Sequence, residues 1–256
     1  MNWISVVILA IVEGLTEFLP VSSTGHMIIA SNILRIPQTD FLSSFEIVVQ
    51  LGAILAVLSI YGSLLWKRKE YWPLIIAAFV PTSVIGFLGY KMVKTVFLGN
   101  VTVTMIGLLV GGIFLLLSKR FEQKTQSLDN LTIRQAVFIG LLQAMSIIPG
   151  VSRSASTIIG GEIVGLSRKA AVEFSFLLGM PVLAAASGYD LLKSGFVFTG
   201  VEWLQLGLGT VISFIVARLT VNWLVSFVER KSLTIFGWYR VGLVVVYFTS
   251  LWVLGR

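Results

Sequence analysis

Cysteine is missing from this chain of 256 residues, and histidine occurs once, at His26. The first absence excludes a disulfide framework, a thiolate metal site and a cysteine nucleophile; the second excludes any mechanism that needs two imidazoles. Charge is scarce too, at 12% of residues, roughly half the share of a soluble domain. Acids are outnumbered by Lys and Arg, 12 to 19, giving a formal net charge of +7. A basic surplus in a nucleic-acid binder comes as a patch interleaved with aromatics. None occurs here, so nucleic acid is not an expected partner. The basic residues stand instead at the ends of apolar runs, where they set membrane orientation.

What is present is apolar. Hydrophobic residues make up 56% of the chain, with a mean hydropathy of +0.94, the composition of an integral membrane protein. The first apolar run has no basic leader and carries Glu13 and Glu17, so it reads as part of the mature protein rather than as a signal peptide. Six runs, about 45–66, 73–93, 101–118, 171–193, 203–224 and 237–254, approach the roughly 20 residues of a spanning helix. Two others, 3–36 and 134–166, are broken midway by Pro, Gly, Ser and a charge. Bare backbone at membrane depth survives only inside protein or along a wet cavity. Each broken run therefore reads as a re-entrant helix-loop-helix hairpin.

A shift of 130 residues lays one hairpin on the other: Glu13 on Gln143, Thr16 on Ser146, Ser22 on Ser152, Ile28 on Ile158. A shift of 127 lays Glu46 on Glu173. The expected architecture is a single all-α membrane domain of six transmembrane helices plus two re-entrant hairpins. Repeat one covers about 1–118, repeat two about 134–256, and a cytoplasmic loop 119–133 joins them. Three crossings per repeat is an odd number, so the repeats have inverted topology and meet near the midplane. With helix 45–66 running inward, Lys67, Arg68, Lys69, Lys119, Arg120, Lys124, Arg134, Arg168, Lys169, Arg230, Lys231 and Arg240 are cytoplasmic. Arg35, Lys91, Lys94, Lys193 and Arg256 are outside, and Arg153 and Arg218 are left at depth. This bias turns the first hairpin toward the outer face. Aromatics at segment ends, Trp238 and Tyr239 among them, read as interfacial anchors.

Ionisable groups at membrane depth mark function, and they gather in the two breaks. Glu13 and Glu17 are one helical turn apart and share a face; they suit an acid and a base, or oxygen ligands for Mg²⁺ or Ca²⁺. Pro20 and Gly25 bracket Ser22, Ser23 and Thr24, a helix stop followed by an N-cap. The unpaired amides of such a start seat anions. The second break repeats the device with Pro149, Gly150, Ser152, Ser154, Ser156 and Thr157 and adds Arg153, whose planar fork suits phosphate oxygens. Two anion seats aimed at one point match a pyrophosphate. His26, in the first turn after the cap, can take a proton from a serine or donate one to a leaving group. Glu46 and Gln50 either hold the hairpins in register or complete the site, and Glu162 is a candidate partner for Arg218. A transporter or lipid flippase is the competing class, since broken helices in inverted repeats also serve alternating access.

Glu13-Gly-Leu-Thr-Glu17-Phe-Leu-Pro-Val-Ser-Ser-Thr-Gly-His26 and Pro149-Gly-Val-Ser-Arg153-Ser-Ala-Ser-Thr157 resemble the two signature motifs of the bacterial undecaprenyl-diphosphate phosphatase family, the bacitracin-resistance type. The likeness runs over essentially the whole chain, including Phe45 to Gly52 and Arg168 to Phe176. It implies hydrolysis of undecaprenyl diphosphate to undecaprenyl phosphate and inorganic phosphate at the outer face of the bacterial plasma membrane. That reaction recycles the lipid carrier of cell-wall synthesis and gives bacitracin resistance. The resemblance further implies a homodimer, a polyprenyl diphosphate lipid as substrate and no organic cofactor. By position, Glu13, Glu17, Ser23, His26 and Arg153 match the catalytic residues, with Ser22, Thr24, Ser152, Ser154 and Thr157 as phosphate contacts. Ser23, deprotonated by His26 or a glutamate, is the preferred nucleophile; a water activated by Glu17, with or without a divalent cation on Glu13 and Glu17, is the alternative.

Overall fold

The structure, a computed structural model, describes residues 1–97, 100–121 and 125–253. Lys124, Arg256 and the end of the 237–254 run lie outside the described residues, as does the side chain of Lys94. The fold is helical: α1 (Trp3–Thr16), α2 (Ser23–Ile33), α3 (Asp40–Val48), α4 (Gln50–Lys67), α5 (Tyr71–Met92), α6 (Val101–Leu117), α7 (Ile133–Ala144), α8 (Arg153–Ile163), α9 (Arg168–Lys193), α10 (Gly200–Val228) and α11 (Thr234–Val253). Among the described residues five helices are long and apolar enough to cross a membrane: Asp40–Lys67, which joins α3 to α4, then α5, Val101–Phe121, α9 and α10. The sixth expected run forms α11, 20 residues long. The two broken runs give the half-length pairs α1–α2 and α7–α8.

Polar caps start these helices. Asn2 accepts from Ser5 N, Asn100 from Val103 N and Ser167 from Ala170 N, while Thr132 with Gln135 and Thr199 with Glu202 form capping boxes. Each cap satisfies amides that would otherwise be orphaned in an apolar setting. α2 and α8 are both 11 residues long and start 130 residues apart.

The packing is reciprocal. α1 lies on α10, α7 on α5, α4 on α10, α8 on α9 and α6 on α11. On α1 the buried positions are Ser5, Val6, Leu9, Ala10, Glu13 and Gly14, one stripe at helical spacing. Outward positions on α5 and α10, such as Phe87, Leu88, Leu204 and Leu219, are exposed and apolar, as a surface facing lipid requires.

The two ends of the bundle are closed by different contacts. At one end Arg68 stands 3.4 Å from Asp129, Lys169 pairs with Glu229 at 2.7 Å, and Arg168 donates to Lys231 O at 2.7 Å. At the other, Gln205 donates to Met1 O at 2.7 Å and Phe41 meets Phe198 edge-on. Two expectations fail here. Arg240, placed by its sequence position in the cytoplasm, is fully buried between α11, α6 and both interhelical loops. An arginine flanked by Trp238 and Tyr239 looks interfacial in one dimension, but its azimuth on α11 points it inward. Glu162 does not pair with Arg218. It closes α8 beside the first turn of α9, with Arg168 at 3.8 Å, whereas Arg218 sits on the α4-facing side of α10 and donates to the Ser59 hydroxyl.

Candidate active site

The loops between the half-helices meet inside the bundle. Ser154 Oγ donates to Leu19 O at 2.7 Å, so the second loop is tied to the first. Ser22 and Ser152 hold matching backbones, φ 73° and 79°, and accept from Gly25 N and Ala155 N. Positive φ is costly for a serine. Here the side-chain cap makes the turn possible directly after Pro20-Val21 and Gly150-Val151, and leaves the first amides of α2 and α8 free of helical partners.

Glu17 is the hub. Its Oε1 accepts from Arg153 Nη2 at 2.9 Å and its Oε2 accepts from the Ser23 hydroxyl in a short bond. Both pairs are buried, and a charged hydrogen bond away from water is strong because its partners have no substitute. Arg153 is fixed from three further sides. Nη1 donates to Ser175 O at 2.9 Å, the guanidinium lies 5.3 Å from the Phe18 ring, and Gly179 presses against it with no room for a Cβ. Its Nε–H has no hydrogen-bond partner among the described residues. Glu13, on the same face one turn earlier, is fully buried near Glu17, Arg153 and Glu46, and neither carboxyl oxygen accepts a hydrogen bond from a described donor.

A cavity of about 160 Å³ opens over this cluster, lined by Glu17, Ser22, Ser23, Thr24, Ser152 and Arg153 together with Gln50 and Ser146. Most of the residues expected from sequence are therefore brought together. Ser154 and Thr157 stand behind it. Ser154 ties the loops, and Thr157 donates to Ser175 Oγ at 2.6 Å beneath Arg153. His26 is held just outside the lining: Nδ1 lies 2.8 Å from Ser22 O and Nε2 2.8 Å from Tyr239 Oη. Since a carbonyl only accepts, Nδ1 carries the proton, and in the neutral ring Nε2 accepts from the tyrosine. Of the two bases considered for Ser23, the glutamate is the one in contact.

Sequence reading missed three participants. Ser175 and Gly179 sit in an ordinary apolar run and give no sign in one dimension. Tyr239 reads as an interfacial anchor, yet its hydroxyl holds the histidine. Gln50, left undecided beside Glu46, lines the cavity, whereas Glu173, its neighbour's counterpart, lies near Lys169 and Glu229. Chemically, the cavity offers two sets of free helix-start amides, a guanidinium with a spare donor and a hydroxyl hydrogen-bonded to a carboxylate. Such a set of groups can seat an anion and present a hydroxyl to it.

The chain is similar to known proteins over most of its length. Relatives named undecaprenyl-diphosphatase include those of Aquifex aeolicus, 50% identical over 244 residues, Wolinella succinogenes, 46% over 244, and Thermus thermophilus, 44% over 245. Each match takes in 94% of this chain, and 95%, 95% and 94% of those relatives respectively. The family model described as bacitracin resistance protein BacA matches residues 6–246, and the chain belongs to that family.

Proposed function

We propose that this protein hydrolyses undecaprenyl diphosphate to undecaprenyl phosphate and inorganic phosphate. The observation that carries the reading is the buried relay from the Ser23 hydroxyl to Glu17 and on to Arg153, at the floor of a polar cavity in an otherwise apolar bundle. The names of the relatives supply the substrate.

In this mechanism the diphosphate enters the cavity with its lipid chain outside. Arg153, through its spare Nε–H, and the amides opening α2 and α8 bind the phosphate oxygens and meet the charge that builds on the transferring phosphoryl group. Ser23 Oγ attacks the terminal phosphorus as its proton passes to Glu17 Oε2. The bridging P–O bond breaks, and undecaprenyl phosphate departs with the electron pair. Water, deprotonated by a carboxylate, then cleaves the phosphoserine ester, releasing inorganic phosphate and restoring the hydroxyl. His26 acts through Ser22: with Tyr239 it fixes the carbonyl of the residue that caps α2. Direct contact between Ser23 and Glu17 favours this order over attack by a free water.

Glu13 and Glu17 also fit a hard cation, because Glu13 presents two buried carboxylate oxygens without a protein donor and such ions choose oxygen ligands. No set of three His, Cys, Asp or Glu residues grouped to hold a metal occurs among the described residues, so Mg²⁺ or Ca²⁺ there would complete its shell with water or substrate oxygens. When bound it would neutralise phosphate charge.

The same reading gives six crossings and two re-entrant hairpins in inverted repeats, with repeat boundaries near 118 and 134. Support comes from the identical length and 130-residue offset of α2 and α8, from their matching caps, and from the basic residues at one end of the bundle. The basic end is cytoplasmic, and the site opens to the outer side of a bacterial plasma membrane. The product, undecaprenyl phosphate, is the lipid carrier of cell-wall synthesis, and its renewal gives resistance to bacitracin. A homodimer is part of this proposal.

The test is phosphate release from farnesyl or undecaprenyl diphosphate by detergent-purified protein. Release is expected from the parent chain and lost in Ser23→Ala and Arg153→Ala with folding intact. Full turnover in both variants would overturn the reading, and movement of lipid across sealed vesicles without hydrolysis would favour a flippase.

A further inference from the structure

Arg240 has no part in the chemistry above, yet among the described residues it is the largest fully buried side chain. Among the described residues, every acceptor of its hydrogen bonds is a backbone carbonyl. Nε donates to Leu108 O at 3.1 Å; Nη1 donates to Pro20 O at 3.4 Å and Val151 O at 3.1 Å; Nη2 donates to Gly107 O at 3.1 Å, Val151 O at 3.2 Å and, more closely, Gly150 O. One guanidinium on α11 thus grips the first loop, the second loop and α6 together. No carboxylate pairs with it among the described residues; a buried cation so placed is expensive, and a simple packing role does not need one.

We propose that Arg240 is a positioning residue that clamps the two loop tips so that their helix-start amides and the Ser23–Glu17–Arg153 relay face one phosphate. This rests on the hydrolase reading. Three observations carry it. Pro20, Gly150 and Val151 lie directly before the capping turns at Ser22 and Ser152, and a peptide unit is planar. Holding those carbonyls therefore sets the planes from which both caps are built. The loop carbonyls would otherwise present negative dipoles beside an anion; the guanidinium takes up their lone pairs and adds a fixed positive charge behind the cavity, whose lining includes Gly150. Finally, α6 is shaped to receive the clamp. A Cβ at Gly111 would come within 2.3 Å of Arg240 Nη2 and 2.8 Å of Val151 O, and one at Gly107 within 2.2 Å of Pro149 O.

The experiment compares the parent chain with Arg240→Lys, which keeps the charge but cannot span five carbonyls, and with Gly111→Ala, which displaces the guanidinium without altering it. For both variants kcat for phosphate release from farnesyl diphosphate is expected to fall about 100-fold, with KM changed less than about threefold because Arg153 still binds the phosphate, and with an unchanged fraction of monodisperse protein. Spin labels on Leu15→Cys and Ile148→Cys, both on exposed positions beside the loops, read the clamp without catalysis. Their distance distribution is expected to be narrow in the parent and broad in Arg240→Lys. Parent-like kcat in both variants, activity lost only in proportion to unfolded protein, or unchanged label distances would overturn the proposal. An inactive parent would defeat the hydrolase reading alone, and the label distances would still decide the clamp.

Discussion

Ser23, Glu17 and Arg153 form one hydrogen-bonded unit, so their substitutions should not add. Glu17→Gln keeps the shape but removes the base and the ion pair, and is expected to lower kcat by about 10²–10⁴-fold; the double variant with Ser23→Ala should be little worse than Ser23→Ala alone, measured by phosphate release. Gly179→Ala tests the wall behind Arg153. Its new Cβ would stand 2.5 Å from Nη1, so turnover should drop while secondary structure by circular dichroism is retained. Tyr239→Phe removes the donor to His26 Nε2, and a loss of less than about tenfold is expected, since one neutral hydrogen bond contributes about 1 kcal/mol. Unchanged turnover in Tyr239→Phe would leave the histidine without need of its partner. At this scale the acids, His26, Ser23 and Arg153 were legible because polar groups are costly at membrane depth. Ser175, Gly179, Tyr239 and Arg240 were not, because each is defined by what it touches across 18 or more residues of chain.

The half-helices stand or fall with their turns. Gly150 has φ 93°, and a Cβ there would meet Thr104 O at 2.2 Å, so Gly150→Ala is expected to lower the thermal midpoint in detergent far more than Ser152→Ala. The latter loses one cap, about 1 kcal/mol. Equal midpoints would show that the second loop is not held against α6. The breaks before α2 and α8 follow from Pro, Gly and the capping serines, and the 130-residue offset was readable because both loops solve the same problem. The junction at Val49 was less visible: α3 and α4 continue one axis through a residue in ordinary helical geometry, and nothing in the local sequence marks it.

Seen whole, the molecule carries its Arg68, Arg168 and Lys169 contacts at one end, away from the loop tips. The absence of cysteine makes the sidedness directly testable. In sealed right-side-out vesicles, Gln38→Cys should react with an impermeant maleimide from outside and Glu70→Cys only after the membrane is opened; labelling of both from one side would refute a crossing by Asp40–Lys67. Chelation followed by a phosphate-release assay separates the cation-dependent and cation-free versions of the site, with lost activity restored by Mg²⁺ or Ca²⁺ expected if Glu13 and Glu17 hold an ion.

The chain's own order of residues settled what must be paid attention to at depth: long apolar runs had to become helices, broken runs had to become capped half-helices, and their acids, hydroxyls and arginine had to find partners away from lipid. All of these are local demands, set by backbone hydrogen bonding and desolvation within one or two turns. Which partners they found was decided only in three dimensions. The contact of Glu17 with Arg153, 136 residues away, the histidine's tyrosine and the inward turn of Arg240 depend on helix azimuth and on which faces α6, α9 and α11 present. Those are properties of the packed bundle, because a helix rotated by 100° per residue carries no record in its sequence of which neighbour it will meet.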